Sequence, residues 1–143
     1  MAELTDEAIA VHLKHGPRVP AVSSTMHLYP INGACHDVAP DATAFGHRDA
    51  TYACVIAGMW PDPADNVANT AWVRDFHTAL VPHSEPGGYI NFTSADDQVH
   101  VRDNVGPPYD RLAQVKARYD PANLFHLNQN ILPAEATPPA GAP

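Results

Sequence analysis

Nine histidines and two cysteines carry most of the metal-binding and nucleophilic potential of the chain. His12 and His15 stand three apart on a helical stretch, and His36 faces His47 across a proposed turn, so each pair offers half of a metal site. No third histidine or carboxylate follows at a spacing that completes either pair, and no metal is expected. Cys35 and His36 are adjacent, but strand neighbours diverge, whereas a nucleophile and its base must meet in space. Cys35 and Cys54 lie outside any C-x-x-C pattern, which argues against a zinc ribbon or a thioredoxin-type site and leaves two reduced, half-buried strand thiols. Asn128, Gln129 and Asn130 are carboxamides in series, whose donors and acceptors suit a ligand's polar edge or the capping of their own loop. Of His47 and Arg48, one at most reaches a pocket, and Arg48 is assigned to an ion pair with Asp49 or Asp37. Tyr89 either packs as a strand tyrosine or serves as a base, and a phenol with an ordinary pKa of about 10 needs a cation or a special environment for that.

The elements that must position these residues read as α+β. Thr5-Asp6-Glu7 is an N-cap with first-turn acids, and Ala8, Ile9, Val11 and Leu13 continue a helix over 5–15 that Gly16-Pro17 ends. A period of two gives a strand from Val22 to Tyr29, stopped by Pro30. Residues 32–38 and 43–48 flank Ala39-Pro40-Asp41-Ala42, a turn signal that predicts a hairpin, with 52–60 as the third member of a meander. Asp62-Pro63, followed by Asp65, opens a helix over about 63–81 with Ala68, Trp72, Phe76 and Leu80 on one face. Residues 87–92 read as a short strand entered through glycine, and 96–104 as weakly helical. Pro107-Pro108 opens a clearer helix, with Leu112, Val115 and Tyr119 aligned, until Asp120-Pro121 ends it. The expected architecture is an antiparallel sheet of about four strands covered on one face by two or three helices. Residues 1–132 form one module, and 133–143 a Pro/Ala-rich tail with nothing to pack.

A formal charge of −8, with only eight lysines and arginines, argues against nucleic acid and against an anionic membrane, since both need clustered cations. No apolar run approaches the roughly 20 residues that span a bilayer. The N-terminus lacks a basic start and an apolar core, so the expectation is a soluble, cytoplasmic protein.

Three stretches, in order, resemble the C-terminal region of the berberine-bridge-enzyme-like branch of FAD-linked oxidases: residues 41–48 (DATAFGHR), 88–92 (GYINF) and 116–131 (KARYDPANLFHLNQNI). The last is the most specific, a Tyr-Asp-Pro-x-Asn-Leu-Phe-x-x-Asn-Gln-Asn run, and the resemblance extends over residues 4–132. It implies that an antiparallel sheet roofs a flavin and forms the substrate pocket, while the first half of a much longer protein binds FAD through a His and often a Cys. That half has no counterpart here. None of the nine histidines is assigned to a flavin bond, and this chain alone is expected to bind no FAD.

Tyr89 matches the first tyrosine of the family's Tyr-x-Asn-Tyr/Phe motif, a position that resembles the catalytic one which hydrogen-bonds or deprotonates the substrate hydroxyl as hydride leaves for the flavin. The resemblance further implies substrate contacts at Asn91 and His47, and cofactor contacts at Asn128, Gln129 and Asn130. Phe92 stands where a second tyrosine is commoner, which removes one hydroxyl. The implied function is the substrate-binding C-terminal module of an FAD-dependent oxidoreductase, with a small-molecule substrate and either a flavin-binding polypeptide or a second copy as partner. The rival is a non-catalytic small-molecule-binding or dimerisation module of the same descent.

Overall fold

The computed structural model describes residues 1–93 and 98–135. The chain divides into two units, one of Met1–His36 and Asp49–Pro86, the other of Asp37–Arg48 and Gly87–Pro143.

In the first unit the capping chemistry works as the sequence implies. The Thr5 side chain accepts from the Ala8 amide at 3.2 Å and starts helix α1, Asp6–His15. Asp62 accepts from the Ala64 amide at 2.9 Å, and a 3-10 turn over Pro63–Asp65 leads into α2, Asn66–Leu80. Between the helices, β1 (Thr25–Pro30) and β2 (Tyr52–Ala57) pair antiparallel, with Met26 opposite Ile56 and Leu28 opposite Cys54. Trp72, Phe76 and Leu80 of α2 form the core, joined by Val11 of α1, Met26 of β1, and Cys54 and Ile56 of β2. Phe76 is fully buried; burying each of these three side chains contributes about 1.5 to 3 kcal/mol. Ala68 is exposed and Asn69 takes its place on the buried face, because its side-chain nitrogen donates to the Asp65 carbonyl at 3.0 Å.

Alternation sends Thr25, His27 and Tyr29, with Ala53, Val55 and Ala57 opposite them, to the other side of the ribbon. The His27 ring hydrogen-bonds the Thr25 hydroxyl at 2.8 Å and stacks on Tyr29 at 5.6 Å.

The protein is thus a mixed helix and sheet fold, but among the described residues the sheet has two strands and not about four. The expected hairpin over 32–48 is replaced by local closure. Gly33 sits at φ +60° and accepts from the His36 amide at 2.9 Å, giving a 3-10 turn over Gly33–Cys35. Arg48 donates to the Thr43 hydroxyl and to the Phe45 carbonyl at 2.7 and 3.2 Å. Bonds from side chains to nearby backbone compete directly with a strand ladder.

The second unit contains α3 (Val101–Val105) and α4 (Tyr109–Tyr119). The stripe expected on α4 faces outward: Val115 is 47% and Tyr119 74% exposed, while Ala113 is the buried residue. Leu112 and Val115 instead line a cleft of about 240 Å³ with Thr43, Ala44, Pro108 and Arg111. The Ala134 amide donates to the Ala113 carbonyl at 3.0 Å, so the start of the expected tail runs along α4. Residues 136–143, and 96–97 of the expected weak helix, lie outside the described residues. Among the described residues no helix is long and apolar enough to cross a membrane.

Candidate functional site

The sequence predicts a strand at Tyr89, whereas the structure places it at the mouth of a 3-10 turn, Ile90–Phe92. The reason lies in what precedes and follows it. Gly87 holds φ +79°, a left-handed conformation that side chains resist, with its Cα against the backbone of Asp103. The Gly88 amide then donates to the Asn104 side-chain oxygen at 2.8 Å, and the Phe92 amide returns to the Tyr89 carbonyl at 2.8 Å. The Thr93 hydroxyl completes the turn on the Ile90 carbonyl at 2.8 Å. With its polar groups spent locally, the segment has few left for a ladder.

The turn still brings Tyr89 and Asn91 together and keeps Ile90 on the more buried side. The Asn91 side-chain nitrogen donates to the Tyr89 hydroxyl at 2.8 Å. The Tyr89 ring meets Phe92 and Phe45 edge-on, with centroids 5.3 and 5.9 Å apart. Phe45 in turn meets His47 edge-on at 6.0 Å and lies under the Arg48 guanidinium at 4.9 Å. The His47 Nε2 hydrogen-bonds the Asn104 carbonyl at 2.8 Å, so Asn104, which is 5% exposed, ties His47 and Gly88 to one buried residue.

The carboxamide series divides by role. Gln129 donates through Nε2 to the Thr93 hydroxyl at 2.5 Å and pins its loop beside the Tyr89 turn. Asn128 is exposed and Asn130 half-buried. Asn128 and Gln129 hold φ +51° and +24°, a left-handed pair that turns the loop sharply. The loop is anchored further back by a clip. Lys116 donates to the Asp120 carboxylate at 2.5 Å and to the Phe125 carbonyl, and that carboxylate accepts from the Leu124 and Phe125 amides at 2.7 and 3.0 Å. Hydrogen bonding from Lys116 foremost holds the Asp120 carboxyl below the usual carboxylate range; burial opposes it, and the Phe125 and Leu124 amides add to the lowering. The clip presents Leu124, Phe125 and Leu127 to solvent, 72%, 77% and 87% exposed.

Sequence reasoning finds Tyr89, Asn91, His47 and Gln129, which the fold gathers in one unit, but misses Phe45, Thr93, Asn104 and the Lys116–Asp120 clip. Asp120 has a visible signal, a carboxylate directly before proline. Asn104 has none, since its role depends on a contact 16 residues away.

These residues fit one edge of a flavin and not a whole dinucleotide. Asn128 has a solvent-facing amide for a ring or ribityl oxygen, whereas Gln129 has its nitrogen engaged by Thr93.

The sequence profile of the berberine and berberine-like family matches residues 88–132, which take in Tyr89, the clip and the carboxamide loop. An uncharacterised FAD-linked oxidoreductase of Bacillus subtilis, YgaK, is 31% identical over 133 residues, covering 93% of this chain and 29% of that protein. The aclacinomycin-N/aclacinomycin-A oxidase of Streptomyces galilaeus is 30% identical, covering 74% of this chain and 23% of its own length. A solved structure of a glycopeptide hexose oxidase complexed with teicoplanin superposes with a TM-score of 0.75 at 26% identity, covering 92% of this chain and 30% of that one. The chain thus carries a match to the berberine and berberine-like family over residues 88–132, is similar over most of its length to FAD-linked oxidoreductases, and spans less than a third of the length of the relatives it matches.

Proposed function

We propose that the chain is the substrate-facing module of an FAD-dependent oxidoreductase that oxidises a hydroxyl-bearing carbon of a hexose, with Tyr89 as the base. The observation that carries this reading is the Tyr89 hydroxyl: exposed, backed by Phe45 and Phe92, and held by the Asn91 amide inside the segment the family profile matches. The hexose comes from the name of one relative, the glycopeptide hexose oxidase.

In this reading FAD, when bound, supplies the hydride acceptor. To act as base Tyr89 is ionised before the step; its oxygen then takes the substrate hydroxyl's proton and becomes a neutral phenol, and the Asn91 N–H, which donates to that oxygen, stabilises the ionised form beforehand. His47, with Nε2 committed to the Asn104 carbonyl, positions Phe45 and has its other ring nitrogen for a substrate oxygen. Asn128 contacts the flavin edge. The partner is a flavin-bearing polypeptide that covers Leu124, Phe125 and Leu127, an apolar group held rigid by the clip. The two-stranded ribbon receives further strands from that same polypeptide. The same apolar group also favours self-association of the chain by itself, the non-catalytic dimerisation reading.

The test is a chimera in which residues 1–135 replace the matching segment of the aclacinomycin oxidase, mixed anaerobically with hexose-bearing substrates. Flavin bleaching is expected, slowed about a hundredfold or more by Tyr89→Phe, the usual scale for losing a general base. Normal bleaching in Tyr89→Phe removes that residue from the chemistry. A folded, flavin-loaded chimera that none of the substrates reduces removes the substrate-module reading.

A further inference from the structure

His12 and His15 are left unused by the site just described, and they sit in an unusual place. Both rings pack on Phe76, the fully buried centre of the first unit's core: His15 is stacked at 5.2 Å and 18°, His12 edge-on at 5.5 Å and 73°. Both ring nitrogens of His12 and the Nε2 of His15 are buried without a hydrogen-bond partner. A neutral imidazole tolerates such a site at the cost of an unmade hydrogen bond, whereas an imidazolium there carries a charge and two N–H donors with no acceptor. We propose that His12, packed on Phe76 beside His15, makes the α1–α2 contact an acid-released latch, docked at neutral pH and undocking as the pH falls.

Among the described residues, none of the neighbouring groups offsets the charge. On α1 the positions one turn from His12 are Ala8, Ile9, His15 and Gly16, none of them acidic. The carboxylates of the first turn are Asp6 and Glu7, and the imidazole that acts on Glu7 is His83. On α2 the titratable side chains are Arg74, Asp75 and His77, and the contact made to His12 is the Phe76 ring. From the ribbon the shared core receives Cys54, whose thiol burial pushes up and keeps neutral, chiefly against the Met1 ammonium. Burial alone holds His12 below its ordinary value, with no charged neighbour contributing. A charged ring against Phe76 gains a cation–π contact, but its N–H groups remain without acceptors.

The sign follows from that depressed value. With the docked pKa below the undocked value of about 6.5, α1 is most tightly held above pH 6.5, and the hold weakens as the pH falls from 6.5 toward the docked value. Each pH unit within that window multiplies the undocked population by about ten.

Hydrogen exchange on the full chain reads this directly. Between pH 7.5 and 5.5, protection factors of the α1 amides, corrected for intrinsic rates, are expected to fall, by at most about tenfold, relative to those of α4. His12→Leu, which keeps the burial and removes the titration, is expected to abolish the difference. Constant α1 protection across that range overturns the proposal, as does a fall that persists in His12→Leu. If His12→Leu does not fold, a ring NMR titration of the unaltered chain decides: a His12 midpoint clearly below 6.5 supports the latch, and one at or above 6.5 overturns it.

Discussion

The Asn91 side chain reaches back across one residue and donates to the Tyr89 hydroxyl at 2.8 Å, with both side chains open to solvent. An exposed bond of this kind contributes little to folding. Tyr89→Phe and Asn91→Ala should each change unfolding free energy by no more than about 0.5 kcal/mol. Ile90 between them is half-buried, and Ile90→Ala should cost about 1 to 2 kcal/mol, below the range for a fully buried site. Urea denaturation followed by circular dichroism measures all three; a costly Tyr89→Phe would mean that the phenol is structural.

Phe76 is the side chain on which α1 and α2 meet. Phe76→Ala should cost about 3 to 5 kcal/mol, at the upper end because the rings of His12, His15 and Trp72 all lose their contact with it. Loss of the cooperative transition in the same denaturation experiment would be the extreme form of that outcome. A cost under about 1 kcal/mol would show that the core collapses around the gap.

Much of this first unit is legible in sequence because its signals are local. Thr5 and Asp62-Pro63 cap where they should, and Trp72, Phe76 and Leu80 share a face through helical spacing alone. Ala68 misleads because hydrophobicity ranks it above Asn69, whose side-chain nitrogen finds the Asp65 carbonyl while its oxygen stays buried without a partner. The Tyr89 region misleads more. Its composition suits a strand, yet the bonds that decide it come from Asn104 and Gln129, distant residues with no periodic signature. Period-two reasoning gives these residues the wrong backbone, a strand in place of a 3-10 turn.

The Lys116–Asp120 clip should respond to acid. The folded pKa of Asp120 lies below the ordinary 3.8, so its contribution is complete above about pH 4 and is lost as the pH falls through the folded value. Asp120→Asn should lower the melting temperature at pH 7 and flatten its decline between pH 4 and 2. An identical acid profile in the two proteins would place the acid sensitivity elsewhere.

Gly87 should resist substitution. It is left-handed, and a Cβ there would collide with the Asp103 carbonyl, so Gly87→Ala should cost on the order of 1 to 3 kcal/mol. Thermal melts of the two proteins measure it, and an unchanged midpoint would show that the Asp103 backbone gives way.

The chain passes between its two units three times, after His36, after Arg48 and after Pro86. Modularity on the sequence and modularity in space therefore part company. A polypeptide beginning at Gly87 would contain the whole family-matched stretch but would leave behind Phe45 and His47, the ring beside Tyr89 and the imidazole bonded to Asn104. Residues 88–132 are the stretch that the family profile matches, not a unit of folding, and a gene rearrangement that moved them alone would deliver the Tyr89 turn without its wall.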